Sequence, residues 1–472
     1  MKKFENFTEW FDDLLLRAEI LDNRYPVKGF SVYKAWGSRT TREITKILED
    51  QLEATGHDPM LFPVVVSEDA FAKEAEHIEG FSTEVFWVTH AGNRKLLKRM
   101  LLRPTSETAM YPMFSFWIRS HADLPLKTFQ SVCVYRYETK ATRPLLRMRE
   151  FLWNEGHTAH KDWDDAERQV REAVEIYDKV FQSLGLSYLI LKRPDFDKFP
   201  GAVYSIAFDA WNPDGRVNQI GTVHNLGENF AKVFGVTYED VDGSQRHVTQ
   251  LCYGFGISRT LAAVIAQHGD DRGLVLPPKI APIQVIVVPI LYKEVESEVA
   301  SYAIEVYETI KNAGFRVRLD EEEKTPGEKF YHWEMFGVPV RAEVGPKDWK
   351  ERHVTLCERV GLERRTLALE EIVPAMKEMF TELNRKLGDR SLSTLNKTII
   401  GVNDLGSLKR AIRNRKVARV SWCEGEECAG KIKTESGGEV RGHRIDLEER
   451  PESPCIACSR KAERVVYVAR AY

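Results

Sequence analysis

The chain has 472 residues, 43% of them hydrophobic and 29% charged, with a formal net charge of −3. This length allows several domains with ample cores. The near-neutral balance excludes a global basic footprint for nucleic acid, although a local basic patch can hide in it. No apolar run reaches a membrane span; the longest, 280–291, is broken by Pro282 and Pro289. Residues 1–5 do not read as a signal peptide, so a cytoplasmic protein without membrane contact is expected. Four of the seven cysteines gather near the C-terminal end, which suits metal binding better than disulfides.

Residues 4–21 predict a helix, with Phe7, Trp10, Phe11, Leu14 and Leu15 at core spacing. An extended segment, 25–30, follows; then a helix over 40–55 that Gly56 stops, and a buried strand over 60–66. A further strand is expected over 84–89, and a helix over 108–119. Taken alone, Thr105 and Glu107 before that helix suit an N-cap. Val132, Val134 and Tyr135, a polar loop over 139–146, then Phe151 and Trp153 predict a β-hairpin. Arg136, Arg143, Arg147 and Arg149 crowd its turn. Guanidinium forks match phosphate oxygens and stay charged, so a polyphosphate is the expected guest.

An amphipathic helix is expected over 166–184 and a loop over 192–204. Gly254 and Gly256 precede a helix over 260–267; glycines there let backbone approach a ligand, and Arg259 can reach a phosphate. Beyond the linker prolines Pro277 and Pro278, strands over 285–289, 315–319, 340–344 and 355–358 alternate with helices over 292–313 and 324–336 and one containing 377–385. That alternation predicts an α/β domain with a mixed sheet. From Gly388 the tail reads as a separate small module, with a basic stretch over 409–419. It carries Cys423-x4-Cys428 and Cys455-x2-Cys458. Two close pairs suit tetrahedral Zn²⁺, and four thiolates leave no open position, so a structural ion is expected.

Tyr135-Arg136-Tyr137-Glu138, a loop, and Arg147-x-x-x-Phe151 resemble motif 2 of the class II aminoacyl-tRNA synthetases. Thr105-Ser106-Glu107 is similar to the Thr-x-Glu of class IIa, and Trp153-Asn154-Glu155-Gly156-His157 to prolyl-tRNA synthetases of the archaeal and eukaryotic kind. The segment 250–259 resembles motif 3, with Ser258 where the family carries an acidic residue, and 40–66 resembles motif 1, which implies a homodimer. The likeness runs the length of the chain.

The resemblance implies a ligase that activates L-proline with ATP–Mg²⁺ to prolyl-adenylate and pyrophosphate, then charges the 3′ end of tRNA(Pro). Arg136 would bridge the proline carboxylate and the α-phosphate, and Arg259 would hold the γ-phosphate. Glu138 would accept from adenine, Arg147 would hold the β/γ-phosphates, Phe151 would stack on the base and Gln219 would touch ribose or adenine. Thr105, Glu107, Trp153, Glu155, His157, Thr222 and His224 would surround proline, and Arg341, Glu343 and Lys347 would meet the anticodon. Tyr472 would reach toward the active site. The span between motifs 2 and 3 leaves no room for the editing domain of bacterial relatives, and alanine and cysteine should be activated weakly. The implied fold is α+β and α/β, multidomain: an antiparallel-sheet catalytic domain (1–279), an α/β anticodon-binding domain (280–387) and a small α+β zinc-binding domain (388–472). Rival readings are another class IIa synthetase or a non-catalytic tRNA-binding paralogue.

Overall fold

The computed structural model describes residues 2–75 and 85–472. Its largest element is an eleven-stranded sheet. Six neighbouring strands form the part expected to be catalytic: Leu189–Lys192, Tyr204–Trp211, Arg216–Gly227, Thr249–Phe255, Glu150–His160 and Leu126–Tyr135. Every pair among them is antiparallel. The helix Trp163–Ser183 covers one face; Asp162 caps its start, and Val170, Ile176, Tyr177, Val180 and Phe181 are buried against the sheet. Alternation along a strand divides the two faces. In Thr249–Phe255, Tyr253 and Phe255 pack on Tyr177 of that helix, while Cys252 and Gly254 turn to a cavity on the other side.

The predicted hairpin forms, with its pairing running from Leu126↔Ala159 to Tyr135↔Glu150. Its connection is longer than the expected loop and includes Arg136–Glu138, stitched by the Arg136 N–H donating to Arg149 O at 2.9 Å.

The α/β unit is a five-stranded mixed sheet in the order Val317–Leu319, Val285–Pro289, Val340–Val344, His353–Glu358, Arg364–Ala368. Val285–Pro289 is buried throughout, as parallel strands covered on both faces are. Its odd residues Val285 and Val287 join this unit's own core. Ile286 and Val288 join the catalytic core.

Three expectations are corrected. The segment 25–30 is a turn rather than an extended run, because Gly29 takes φ +86° and the Phe30 N–H folds back to Val27 O. The segment 60–66 is not a buried strand: only Val65–Ser67 pairs there, and Leu61 is 84% exposed. Residues 346–351, to which the sequence pattern assigns no element, form a short helix that starts with Pro346 at its first turn and has Asp348 accepting the Gly345 N–H. The tail does not stand apart. The helix Ile372–Thr398 passes unbroken through residue 388, and Glu439–Arg444 pairs with Leu189–Lys192 of the catalytic sheet. The closing strand Arg464–Ala471 also lies parallel to the start of Arg216–Gly227. The expected strand over 84–89 is Phe86–Ala91, and Glu84 lies outside the described residues.

Two buried histidines are held neutral. His57 donates from Nδ1 to Leu52 O and accepts the Tyr253 hydroxyl at Nε2; burial, then Lys127, lowers its pKa to about 4. His268 donates from Nε2 to Leu184 O at 2.8 Å, and burial lowers its pKa to about 3. Below the ordinary 6.5 the unfolded chain binds protons that the native chain refuses. Stability therefore falls as pH drops from about 6.5 toward 4, by up to about 1.4 kcal/mol per pH unit for each group. Urea midpoints measured across that range should decline, and His268→Gln should make the decline shallower.

Candidate functional site

The cavity on the open face of the sheet has a volume of about 260 Å³. The strand Glu150–His160 supplies one wall. Phe151, Trp153, Glu155 and His157 are two residues apart, so all four face it. Arg216–Gly227 supplies another, with Thr222 and His224 on the inward face. Gln219 has the wrong parity for that face. A bulge where Phe208↔Gly221 gives way to Asp209↔Gln219 skips Ile220 and brings Gln219 inward. Gly254 keeps the floor open, since a Cβ there would meet Trp153 at 3.4 Å.

The Thr105–Glu107 turn closes one end. Thr105 Oγ1 donates to Glu107 Oε2 at 2.5 Å, and neither side chain caps the following helix. Glu107 is 1% exposed, a carboxylate buried at the cavity wall. Glu155 is engaged on both oxygens. Ser106 and Gln130 donate to Oε1, and His157 Nε2 lies 3.3 Å from Oε2. Burial alone would raise the Glu155 pKa, but the bonds from His157, Ser106 and Gln130 outweigh it and the carboxyl is held below its usual value. Glu155 thus locks the hairpin to the turn that carries Glu107. His224 Nδ1 meets Ser205 Oγ at 2.7 Å and its ring lies 4.7 Å from Phe199; burial, then Arg193, lowers its pKa to about 3.

Three arginines converge in the same cavity. Arg136 lies over the rings of Phe151 and Trp153, at 5.5 and 5.4 Å, and donates to Pro104 O. Arg147 sits 3.5 Å from Glu138. Arg259, in the first turn of Ile257–His268, donates to Leu146 O and Gln219 O. That helix begins three residues earlier than its pattern suggests. Burial, then the positive charges of Arg136 and Arg147, lowers the Arg259 pKa to about 10. Such crowding of like charge fits a polyanionic guest. Ser258 is structural: its hydroxyl joins Tyr33 and accepts the Leu152 N–H.

The family model for the tRNA synthetase class II core domain (G, H, P, S and T) matches residues 86–268. The anticodon binding domain matches 284–379, and the prolyl-tRNA synthetase C-terminal domain matches 405–472. The proline–tRNA ligase of Pyrococcus abyssi is 48% identical over 474 residues, covering 99% of this chain and 98% of the relative. The chain belongs to the proline–tRNA ligases. That of Thermococcus kodakarensis is 46% identical over 99% of this chain and 98% of its own. Among solved structures, the Giardia lamblia prolyl-tRNA synthetase in complex with prolyl-adenylate superposes with a TM-score of 0.96 at 34% identity. It covers 100% of this chain and 99% of that one. The Cryptosporidium parvum enzyme complexed with halofuginone and AMPPNP gives 0.95 at 33%, with the same coverage.

Outside the cavity, the ligase brings Cys423, Cys428, Cys455 and Cys458 together, all four sulfurs within 4.8 Å of one another. Cys423 lies 3.6 Å from Cys428 and 3.7 Å from Cys458. Tetrahedral bonds of ~2.3 Å place sulfurs about 3.8 Å apart, so the donor set fits zinc. Arg341 and Glu343, two residues apart on one strand, are turned to each other at 2.9 Å and buried at 6% exposure each. Lys347 is exposed. Arg149 ties the hairpin connection, donating to Glu138 O and lying over Tyr137.

Sequence reasoning missed Arg193 and Arg441, which both line the cavity. Arg193 donates to both Asp209 oxygens, at 3.1 and 2.8 Å, and to Gln219 Oε1 at 2.9 Å. Arg441, from the tail, donates from Nε to Asp209 Oδ2 at 2.9 Å. Burial would raise the Asp209 pKa, yet Arg193 and Arg441 hold it down at about 2. A charged residue within the apolar run Ile206-Ala207-Phe208-Asp209-Ala210 was the available signal. Asp209→Ala leaves two buried guanidiniums without their shared anion. Thermal or urea unfolding should show a loss of about 3–5 kcal/mol.

Proposed function

We propose that this proline–tRNA ligase activates L-proline with ATP and transfers it to tRNA(Pro) in the cavity described above. The convergence of Arg136, Arg147 and Arg259 in the cavity that also holds the buried Glu107 carries the reading. Proline's ammonium meets Glu107 and Thr105, and its ring lies among Trp153, His157, Thr222 and His224. Glu155 fixes that wall. The neutral His224 adds no competing positive charge beside the ammonium.

Arg136 bridges the proline carboxylate and the α-phosphate, which offsets the charge that grows as the carboxylate attacks. Phe151 stacks on adenine, Glu138 accepts from its amino group and Gln219 holds the ribose edge. Arg147 and Arg259 take the β- and γ-phosphates. Holding these groups in line is most of what phosphoryl chemistry asks of a protein. No side chain is assigned as general base. Mg²⁺ enters this reading with the ATP substrate, whose phosphates supply ligands to it. The second step, attack of the tRNA terminal hydroxyl on the adenylate carbonyl, uses the same Arg136 to steady the carbonyl oxygen.

The cysteine cluster is a structural zinc site in this reading; zinc would cross-link the loop after Val417–Trp422 to residues 455–458. No helix among the described residues is long and apolar enough to cross a membrane, and the reading carries a cytoplasmic location with it. Leu61, at 84% exposure, Phe116 and Trp117 leave an apolar surface around Phe62. A second copy of the chain covers it in the proposed homodimer. Lys347 presents its charge at the proposed anticodon face, where Arg341 and Glu343 hold each other in place.

Amino-acid-dependent ATP–pyrophosphate exchange tests the reading. Proline should support strong exchange, with alanine and cysteine weaker by about 10–200-fold; strong exchange with another amino acid refutes the pocket. Arg136→Ala should lower exchange by about 10²–10³-fold in a chain that still folds. Metal analysis should find about one zinc per chain, lost in Cys455→Ser.

A further inference from the structure

A second cavity, of about 660 Å³, adjoins the first. Gln219, Arg147, Arg259 and Arg441 line both, whereas Arg136 lines only the first and Lys140, Arg143 and Arg216 only the second. Six cationic side chains therefore face the second cavity: Lys140, Arg143, Arg147, Arg216, Arg259 and Arg441. One acidic side chain, Glu439, lines the cavity with them among the described residues, paired with Lys433 at 2.9 Å and Arg441 at 3.6 Å, and Asp214 lies 3.6 Å from Arg143 and 3.9 Å from Arg216. One of the guanidiniums shared by the cavities lacks an anion that matches its charge: Arg259 is held by two neutral main-chain carbonyls, whereas Arg147 is paired with Glu138 at 3.5 Å.

We infer that the second cavity is the exit for inorganic pyrophosphate, built jointly by the hairpin connection and the tail. The inference rests on the proline-activating reading above. In that step a proline carboxylate oxygen forms a bond to the α-phosphorus. The bond from that phosphorus to the bridging oxygen breaks, and its electron pair leaves on pyrophosphate. The nucleophile approaches from the Glu107 side, so in-line displacement sends the leaving group the other way. That way lie Arg147 and Arg259, and beyond them Arg216 and Lys140. The new adenylate blocks return through the first cavity.

A small polyanion suits this chamber better than the 3′ end of a nucleic acid. Single strands are held by stacking bases on aromatic rings, and the ring available, Tyr472, is taken. Arg143 and Arg216 lie over it at 5.6 and 5.5 Å, and its hydroxyl donates to Asp214 at 2.7 Å.

The test uses the full chain carrying Lys140→Ala and Arg216→Ala together, both positions being exposed. Proline-dependent ATP–pyrophosphate exchange is measured with inorganic pyrophosphate varied. The KM for pyrophosphate should rise roughly three- to tenfold, the effect of removing two exposed cations. The KM values for ATP and proline are the internal reference. The charge-keeping pair Lys140→Arg and Arg216→Lys should restore the wild-type value. An unchanged KM for pyrophosphate overturns the inference. A raised KM for tRNA with pyrophosphate unaffected also overturns it, in favour of nucleic-acid entry. Absence of proline-dependent exchange in the wild-type chain would remove the activation reading itself, an outcome distinct from either.

Discussion

Asp209 is one buried carboxylate that two buried arginines share, and much of the molecule is arranged around that imbalance. Arg193 comes from the loop after a catalytic strand and Arg441 from the tail. Neither could be buried alone, because a desolvated guanidinium costs several kcal/mol unless it is paired. Arg441 therefore needs the catalytic domain in place to have its partner, and Arg193 in turn donates to Arg441 O at 2.6 Å. Arg193 also donates to Gln219, whose inward direction already depends on the bulge at Ile220. The tail thus reaches Gln219 at the cavity wall through one carboxylate and one guanidinium. This explains why its sheet is continuous with the catalytic sheet rather than tethered to it.

The same electrostatic logic governs the cavity. It holds opposite charges in one space, the carboxylate of Glu107 and the guanidiniums of Arg136, Arg147 and Arg259. The molecule tolerates both because main-chain carbonyls and aromatic faces partly solvate the arginines, and a short hydroxyl bond steadies the carboxylate. These are weak partners. They hold geometry without neutralising charge, so the full electrostatic benefit is kept for the ligands. Glu155 is the contrasting case. With both its oxygens engaged, it serves as part of the frame.

Much of this was legible in the residues. Val285–Pro289 and Val340–Val344 announce themselves as continuous apolar runs, and the hairpin as alternating apolar positions around an arginine-rich turn. The two cysteine pairs were readable because ligand spacing is local. What escaped was set by distant partners. Nothing near Arg441 says that it meets Asp209, which lies 232 positions earlier. A bulge that skips Ile220 is invisible without the neighbouring strand. Arg364–Ala368 has too few apolar residues to read as a strand and is one because His353–Glu358 pairs with it. Residues 60–66 were misread because their apolar content suggested burial inside the chain, whereas the fold leaves much of it at the surface.

The helix Ile372–Thr398 serves three cores in succession. Ile372, Met376 and Met379 belong to the α/β unit, Leu383 and Leu387 pack with Val275, and Leu395 packs with the closing strand. Midway, Ser391 donates to Gly185 O at 2.7 Å and pins the helix to the catalytic body. At about 100° per residue, Leu395 lies roughly 140° around the axis from Ile372. The helix works as a keyed shaft whose successive teeth face different directions. Its length is therefore an angular setting as much as a distance. One residue more or fewer would turn the tail by about 100° against the anticodon-binding unit, and the teeth could no longer engage all three cores at once.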